Sequence, residues 1–226
     1  MVHEPTQASR RPGVGRVRSP LDALASRGAA ILGRPLSPTE RASFDKYMKL
    51  LQKWQKSQRL IGSTDTGWIV EKLFLDSLLF LKALPREMIS LADVGSGAGL
   101  PGIPIKIVRP EVHVSLIESR ARRASFLSAV IRELALRDIE VVTARVEDYA
   151  RERSPAFDVV VMRCAGEFAD LARASSRLVA PGGVIVASGP PRRQHLELGE
   201  WLEVSGIGAG ETRRFAVYRP GSPPIL

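Results

Sequence analysis

Cysteine is almost absent from this chain: Cys164 is its only one in 226 residues. A lone cysteine forms no disulfide within a chain, so a disulfide-stapled scaffold is excluded and a reducing compartment, the cytoplasm, is expected. Histidine is scarce as well. His3, His113 and His195 have no partners at ligand spacing, so no metal site is expected. No apolar run is long enough to span a bilayer, and "MVHEPTQASRRPGVGRVRSP" at the start lacks the continuous apolar block of a secretory signal. No membrane association is therefore expected. Internal repeats and low-complexity tracts are also missing.

What remains is enough chain for one sizeable domain with an appendage, able to bury a core without staples. The formal charge is +9, and its distribution is uneven. Through Leu84 there are 14 Lys and Arg against 7 Asp and Glu, while the remainder has 19 against 17. A cationic leading third suits an anionic partner such as nucleic acid; a solvated basic surface is the plainer alternative.

Residues 1–18 read as a disordered basic arm, residues 19–88 as a helical extension and residues 89–226 as the main domain. In "SPLDALASRGAAILG", Ser19 is placed to cap a helix, Pro20 to open it and Gly33 to stop it. Ser37, Pro38 and Glu40 repeat the device as a capping box. Phe44, Tyr47, Met48, Leu51 and Trp54 then recur at helical spacing as a buried face. Lys46, Lys49, Lys53 and Lys56 form a separate stripe, followed by Arg59; these five cations could track a phosphate backbone or be an ordinary solvated face. "DTGWIVEKLFLDSLLFLKALP" predicts a third helix, apolar on most sides.

From residue 90 short β-branched runs alternate with helical stretches. "SLADVG", "VHVSLIE", "IEVVTARV", "FDVVVMR" and "GGVIVAS" are strand candidates, with helices near 103–109, 119–136 and 167–179. This alternation predicts an α/β fold with a doubly wound, mostly parallel, Rossmann-like sheet behind an N-terminal helical extension. "WLEVSGIG" and "RRFAVYRP" supply one or two further strands as an antiparallel edge.

The first strand runs straight into glycine, "LADVGSGAGLPGIP". At the carboxyl end of a strand in such a sheet, Gly95, Gly97 and Gly99 let bare backbone approach a ligand, and the helix that follows offers free N–H groups. Glu118 closes the next strand, where a carboxylate can accept hydrogen bonds from both ribose hydroxyls. An adenosine-bearing cofactor is thus expected. "GAGLPG" formally matches the dinucleotide fingerprint G-x-G-x-x-G, a weak signal alone. Read from Asp93, the same stretch is D-x-G-x-G-x-G and resembles motif I of class I S-adenosylmethionine methyltransferases. Asp93 would then lie near the cationic end of S-adenosyl-L-methionine. "VEDY" after the third strand, the "PGG" turn in "LVAPGGVIV" and the leading helical block favour the same reading.

One family is resembled more closely. "DVGSGAGLPGIPIKIVRP", "LIESRARRASFLSAVIRELAL" and "ARVEDY", with "YMKLLQKWQK", "FLDSLLFL" and "GETRRFAVY", are similar to the glucose-inhibited division protein B family across most of residues 37–219. That family comprises bacterial guanine-N7 methyltransferases of 16S small-subunit ribosomal RNA. The resemblance implies cofactor contacts from Gly95, Leu100, Val146, Glu147 and Arg163 and an RNA or ribosomal-particle partner; a cytoplasmic monomer is expected alongside it. The chain departs from the family where Arg59 replaces an asparagine, Leu73 a histidine and Gly189 a lysine, and "RRF" stands for "RHL". These departures keep a small-molecule acceptor in view as the alternative.

Guanine N7 carries a free lone pair, so such an enzyme needs no obligatory base; it must hold N7 and the methyl group in line. Arg163, at a strand end, is the one candidate for a catalytic contribution, with a cofactor or phosphate contact preferred. Cys164 reads as a small buried residue rather than a nucleophile. Asp76 either faces the cleft or packs on its helix.

Overall fold

A computed structural model describes residues 19–151, 156–163, 168–189 and 195–221. The arm at residues 1–18, His3 and Cys164 lie outside the described residues.

The leading helices start where their caps dictate. In α1 (Pro20–Leu32) the Asp22 N–H donates to Ser19 Oγ at 3.2 Å, and the Ser19 N–H donates to Asp22 Oδ2 at 3.1 Å. Gly33 ends it with φ +69°, a left-handed stop that glycine adopts without strain. α2 (Pro38–Gln55) carries the same reciprocal pair between Ser37 and Glu40. Arg34 also grips Glu40 through both terminal nitrogens and donates to the carbonyl of Val108, joining the start of α2 to the sheet layer. Phe44, Tyr47, Met48 and Leu51 are buried, as their spacing predicts.

The third helix is continuous but not uniform. α3 (Thr66–Trp68) widens into a π-helical stretch (Ile69–Leu75), narrows to α4 (Asp76–Leu79) and ends in a 3₁₀ turn (Phe80–Lys82). The π stretch is buried at Ile69, Val70, Leu73, Phe74 and Leu75, so packing on both sides offsets the poorer hydrogen-bond geometry. Such stretches often mark functional positions, and this one delivers Asp76.

Seven strands form one sheet in the order β3-β2-β1-β4-β5-β7-β6. They are β1 (Ser90–Val94), β2 (His113–Ile117), β3 (Ile139–Val142), β4 (Phe157–Met162), β5 (Val179–Ser188), β6 (Glu200–Ser205) and β7 (Thr212–Tyr218). The first five are parallel, and β6 and β7 are antiparallel. The later strand is the inner one: β7 pairs with β5, and β6 takes the edge.

One expectation is corrected in β5. "PGG" is not a turn ahead of the strand but an irregularity inside it. Phe157 pairs with Val179, and Val159 next pairs with Val184. Gly182 has φ +80°, and a Cβ on Gly183 would lie 2.7 Å from the Asp158 carbonyl. Only glycine fits both demands, so the strand bulges there instead of ending.

The crossovers α5 (Gly102–Val108) and α6 (Ala121–Leu134) bury their apolar sides on one face together with the leading helices. α7 (Val146–Arg151) and α8 (Phe168–Ser175) cover the other face. Phe44, Phe74 and Phe80 from the leading helices share a single apolar cluster with Leu91, Val159 and Phe215 of the sheet. No helix among the described residues is long and apolar enough to cross a membrane.

Candidate functional site

The direction of winding reverses between β1 and β4. The helix that follows β1, α5, lies on one face of the sheet, and α8, the next described helix after β4, lies on the other. A crevice at that point is the general ligand position of such sheets. The glycine loop leaves β1 there, and Arg163 follows β4.

Hydrogen bonds fix the loop on three sides. The N–H groups of Gly95 and Ser96 donate to the carbonyl of Ile117 at 2.9 and 3.1 Å. Ser96 Oγ donates back to the Asp93 carbonyl at 2.7 Å, and the Gly97 N–H donates to Glu118 Oε2 at 2.9 Å. From outside the sheet, the Tyr47 hydroxyl donates to the Ala98 carbonyl. Tyr47 is held by stacking on Phe74 with ring centroids 5.3 Å apart. Burial pushes its phenol well above the usual range, so it remains a donor.

All three loop glycines have positive φ: +70° at Gly95, +56° at Gly97 and +86° at Gly99. Their missing side chains serve different ends. A Cβ on Gly95 would meet nothing within 4 Å, and one on Gly97 only the Arg123 guanidinium and the Gly95 carbonyl, each at 3.7 Å. A Cβ on Gly99 would lie 2.3 Å from Ile103 Cδ1 and 3.1 Å from Leu127. Gly95 and Gly97 therefore leave open backbone, whereas Gly99 makes room for the core. Leu100 is buried beside it. The helix that follows does not offer its first N–H as expected: Gly102 donates to Asp93 Oδ2 at 2.9 Å.

Two buried acids flank the open backbone. Glu118 Oε1 accepts from the Arg120 N–H at 2.8 Å, and Oε2 from Gly97, so both oxygens are oriented by main chain. Asp93 is wholly buried; its Oδ1 has no hydrogen-bond partner among the described residues. Burial raises its pKa to about 7, with the Glu118 charge adding to the rise, while the Gly102 N–H and the Arg163 charge oppose it. Val146 and Glu147 open α7 just beyond β3, at the same edge of the sheet; Val146 is buried and Glu147 exposed.

Arg163 is largely buried and shares Asp76 with a second arginine. Its Nη2 lies 3.0 Å from Asp76 Oδ2 and also donates to the Lys72 carbonyl. Arg213 Nε lies 2.7 Å from Asp76 Oδ1, without hydrogen-bond alignment, and Nη2 is 3.3 Å from Oδ2. Arg213 also donates to Ser188 Oγ at 2.7 Å and to the Gly189 carbonyl at 2.8 Å. Burial lowers the pKa of Arg163 and the Asp76 charge opposes this, yet an arginine remains protonated there. Gly189 has no room for the lysine of the resembled family. A Cβ there would lie 2.5 Å from the Trp201 ring. Leu73, in place of a histidine, is buried in the π stretch.

The lysine stripe is exposed along α2, but half of it is engaged. Lys46 lies 3.3 Å from Glu133, and Lys49 2.6 Å from Asp45. Lys53 and Lys56 make no ion pair among the described residues. Arg59 stands apart from them, across a cleft from the start of α6. Arg213, the Asp76 bridge and the arginines of α6 were not among the predicted site residues. The α6 arginines are signalled only by "RARR" directly after the strand that ends in Glu118, while Asp76 and Arg213 stand in "FLDSL" and "RRF" with nothing in either stretch to pair them.

The family model for rRNA small subunit methyltransferase G, GidB, matches residues 40–196. Ribosomal RNA small subunit methyltransferase G of Clostridium botulinum (strain Loch Maree / Type A3) is 38% identical over 151 residues, which are 66% of this chain and 63% of that protein. The protein of the same name from Roseiflexus sp. (strain RS-1) is 39% identical over 164 residues, 69% of this chain and 70% of that one. The matched stretch thus spans less than two thirds of the Clostridium relative. Among solved structures, a mutant of MtNAS in complex with S-adenosylmethionine superposes with a TM-score of 0.51 at 18% identity, over 80% of this chain and 76% of that one. At that identity the likeness concerns the fold alone.

Proposed function

The chain belongs to the rRNA small subunit methyltransferase G family, and from that premise we propose that it methylates N7 of a guanine in 16S small-subunit ribosomal RNA, with S-adenosyl-L-methionine as donor. The observation that carries the reading is the junction of Gly97 and Glu118: open main chain whose N–H fixes a buried carboxylate at the neighbouring strand tip. Each carboxylate oxygen accepts one main-chain bond, which leaves lone pairs for a ribose diol. The unpartnered Asp93 Oδ1 suits a nearby cation, and the bare backbone at Gly95 and Gly97 suits a flat adenosyl group. The residues present therefore fit the group.

When bound, S-adenosylmethionine supplies an electrophilic methyl group on a sulfonium. Everything else in the reaction is positioning. Glu118 orients the sugar, and Asp93 offsets positive charge beneath the loop. Val146 and Glu147 border the same edge. Arg163 and Arg213, bridged by Asp76, present cationic forks at the mouth beyond β4 and β5. Such forks suit a phosphate or the guanine O6 edge. N7 must stay free of them, and tethering to Asp76, Lys72 and Ser188 limits their reach. No base is required, because N7 attacks through a lone pair. One chain supplies all these groups, which supports action as a monomer, in the cytoplasm where ribosomal particles are found.

Tritiated donor offered with small ribosomal subunits, naked small-subunit RNA and a metabolite extract tests the proposal. Label at guanine N7 in the RNA is expected. Label confined to metabolites would replace it with the small-molecule reading, and no label anywhere would leave a binding module.

A further inference from the structure

A cleft near the cofactor loop has arginine at four of its eight lining residues, and methyl transfer as described makes no use of it. Arg59 and Ser57 lie on one wall, after α2, and Arg120, Arg122 and Arg123 on the other, in the first turn of α6. The space between them is about 420 Å³. Arg123 Nη1 lies 3.9 Å from Glu118 Oε2. Arg59, Arg120 and Arg122 are exposed and make no ion pair among the described residues. Like charges gathered around one cavity disfavour the free protein, so a group that neutralises them has something to gain there.

The main chain adds to this field. α6 is 14 residues long, and Arg120 at its N-cap makes no side-chain cap bond. Glu118 takes up the Arg120 N–H, and the rest of the partial positive charge of that first turn borders the cleft. Guanidinium forks match the oxygens of a phosphate, so the set as a whole is built for a phosphoryl group. Exposed Lys53 and Lys56 precede the cleft in the chain, which favours a continuous polyanion over a single small one.

The geometry points to a phosphate subsite in which Arg59, Arg120 and Arg122, with the first turn of α6, grip a phosphodiester of the RNA strand away from the nucleotide that receives the methyl group. This rests on the RNA reading above. It places RNA contacts on the far side of Glu118 from Arg163, so the strand is held on both flanks of the cofactor loop.

The test replaces Arg59, Arg120 and Arg122 together with glutamine, leaving Arg123 because it neighbours Glu118. A control triple, Arg86→Gln, Arg137→Gln and Arg177→Gln, removes equal charge just ahead of β1, β3 and β5, at the opposite edge of the sheet. Binding of a labelled small-subunit RNA transcript is followed by anisotropy across a series of KCl concentrations, and S-adenosylhomocysteine binding by calorimetry. The cleft triple is expected to flatten the log–log salt slope by about 2 and to weaken RNA binding about tenfold or more. Its S-adenosylhomocysteine affinity stays unchanged. Equal losses in both triples would reduce the effect to net charge and overturn the subsite. Loss of S-adenosylhomocysteine binding in the cleft triple would assign these arginines to the cofactor pocket and overturn it too. Binding by the unmodified protein with no salt dependence would overturn the subsite alone, whereas no binding of the transcript would remove the RNA reading and the subsite with it.

Discussion

The Tyr47 hydroxyl, on the second leading helix, donates to the carbonyl of Ala98 in the glycine loop, 51 residues further along the chain. The loop is thus shaped partly by the helical extension. Tyr47→Phe keeps the ring stack on Phe74 but leaves that carbonyl unpaired in a buried position. A loss of about 1–3 kcal/mol in urea unfolding is expected, with weaker S-adenosylhomocysteine binding. Unfolding and affinity that both match the parent would show that the extension does not shape the loop.

Gly97→Val and Gly99→Ala separate the two uses of glycine. Valine at φ +56° is strained and pushes a branched side chain over the open backbone, so cofactor binding is lost while the core stays packed. Alanine at Gly99 adds overpacking against Ile103, about 1–3 kcal/mol, to backbone strain of similar size. Its melting temperature should therefore fall further than that of Gly97→Val, although the side chain is smaller. The reverse order would refute the division.

The Asp93 carboxyl titrates at about 7 in the folded protein and near 4 when unfolded. The native state thus holds this proton more tightly. The corresponding stability is fully present below about pH 4 and is lost as pH rises through about 7. Asp93→Asn should abolish this fall, seen as the difference between urea midpoints of the two proteins across that range. A cationic ligand beside Asp93 should also release a proton on binding below pH 7, detectable by calorimetry in buffers of different ionisation enthalpy. Parallel pH profiles for parent and variant would contradict the assignment.

Asp76→Ala leaves Arg163 and Arg213 facing each other without their shared anion. Breaking a largely buried pair costs up to about 3–5 kcal/mol. The same change in an Arg213→Met background should cost less, with a coupling of about 1 kcal/mol or more. Additive losses would mean that Asp76 does not join the two arginines.

Much of this was legible in the chain. β-Branched runs located the parallel strands, because buried strands need an uninterrupted apolar surface, and Ser-Pro caps located the first two helices. The acid at Glu118 followed from its place at a strand end. The rest depends on contacts that no local pattern encodes. Asp76 and Arg213 are 137 residues apart and meet only because β7 lies inside β6. Gly99 looks like its neighbours in sequence, yet its freedom serves Ile103 and Leu127 rather than an open face. The π stretch has no compositional mark, since an apolar run suits either helix.

The inner position of β7 has a consequence for biosynthesis. Arg213 and the apolar pair Phe215 and Val217 arrive on the last strand of the sheet to be made, yet they take an interior place in it. While the nascent chain is still within the ribosome short of residue 218, the mouth lacks one of its two arginines and β5 lacks a neighbour. Until that final strand emerges, the sheet ends at β5 and Asp76 faces Arg163 without its second arginine.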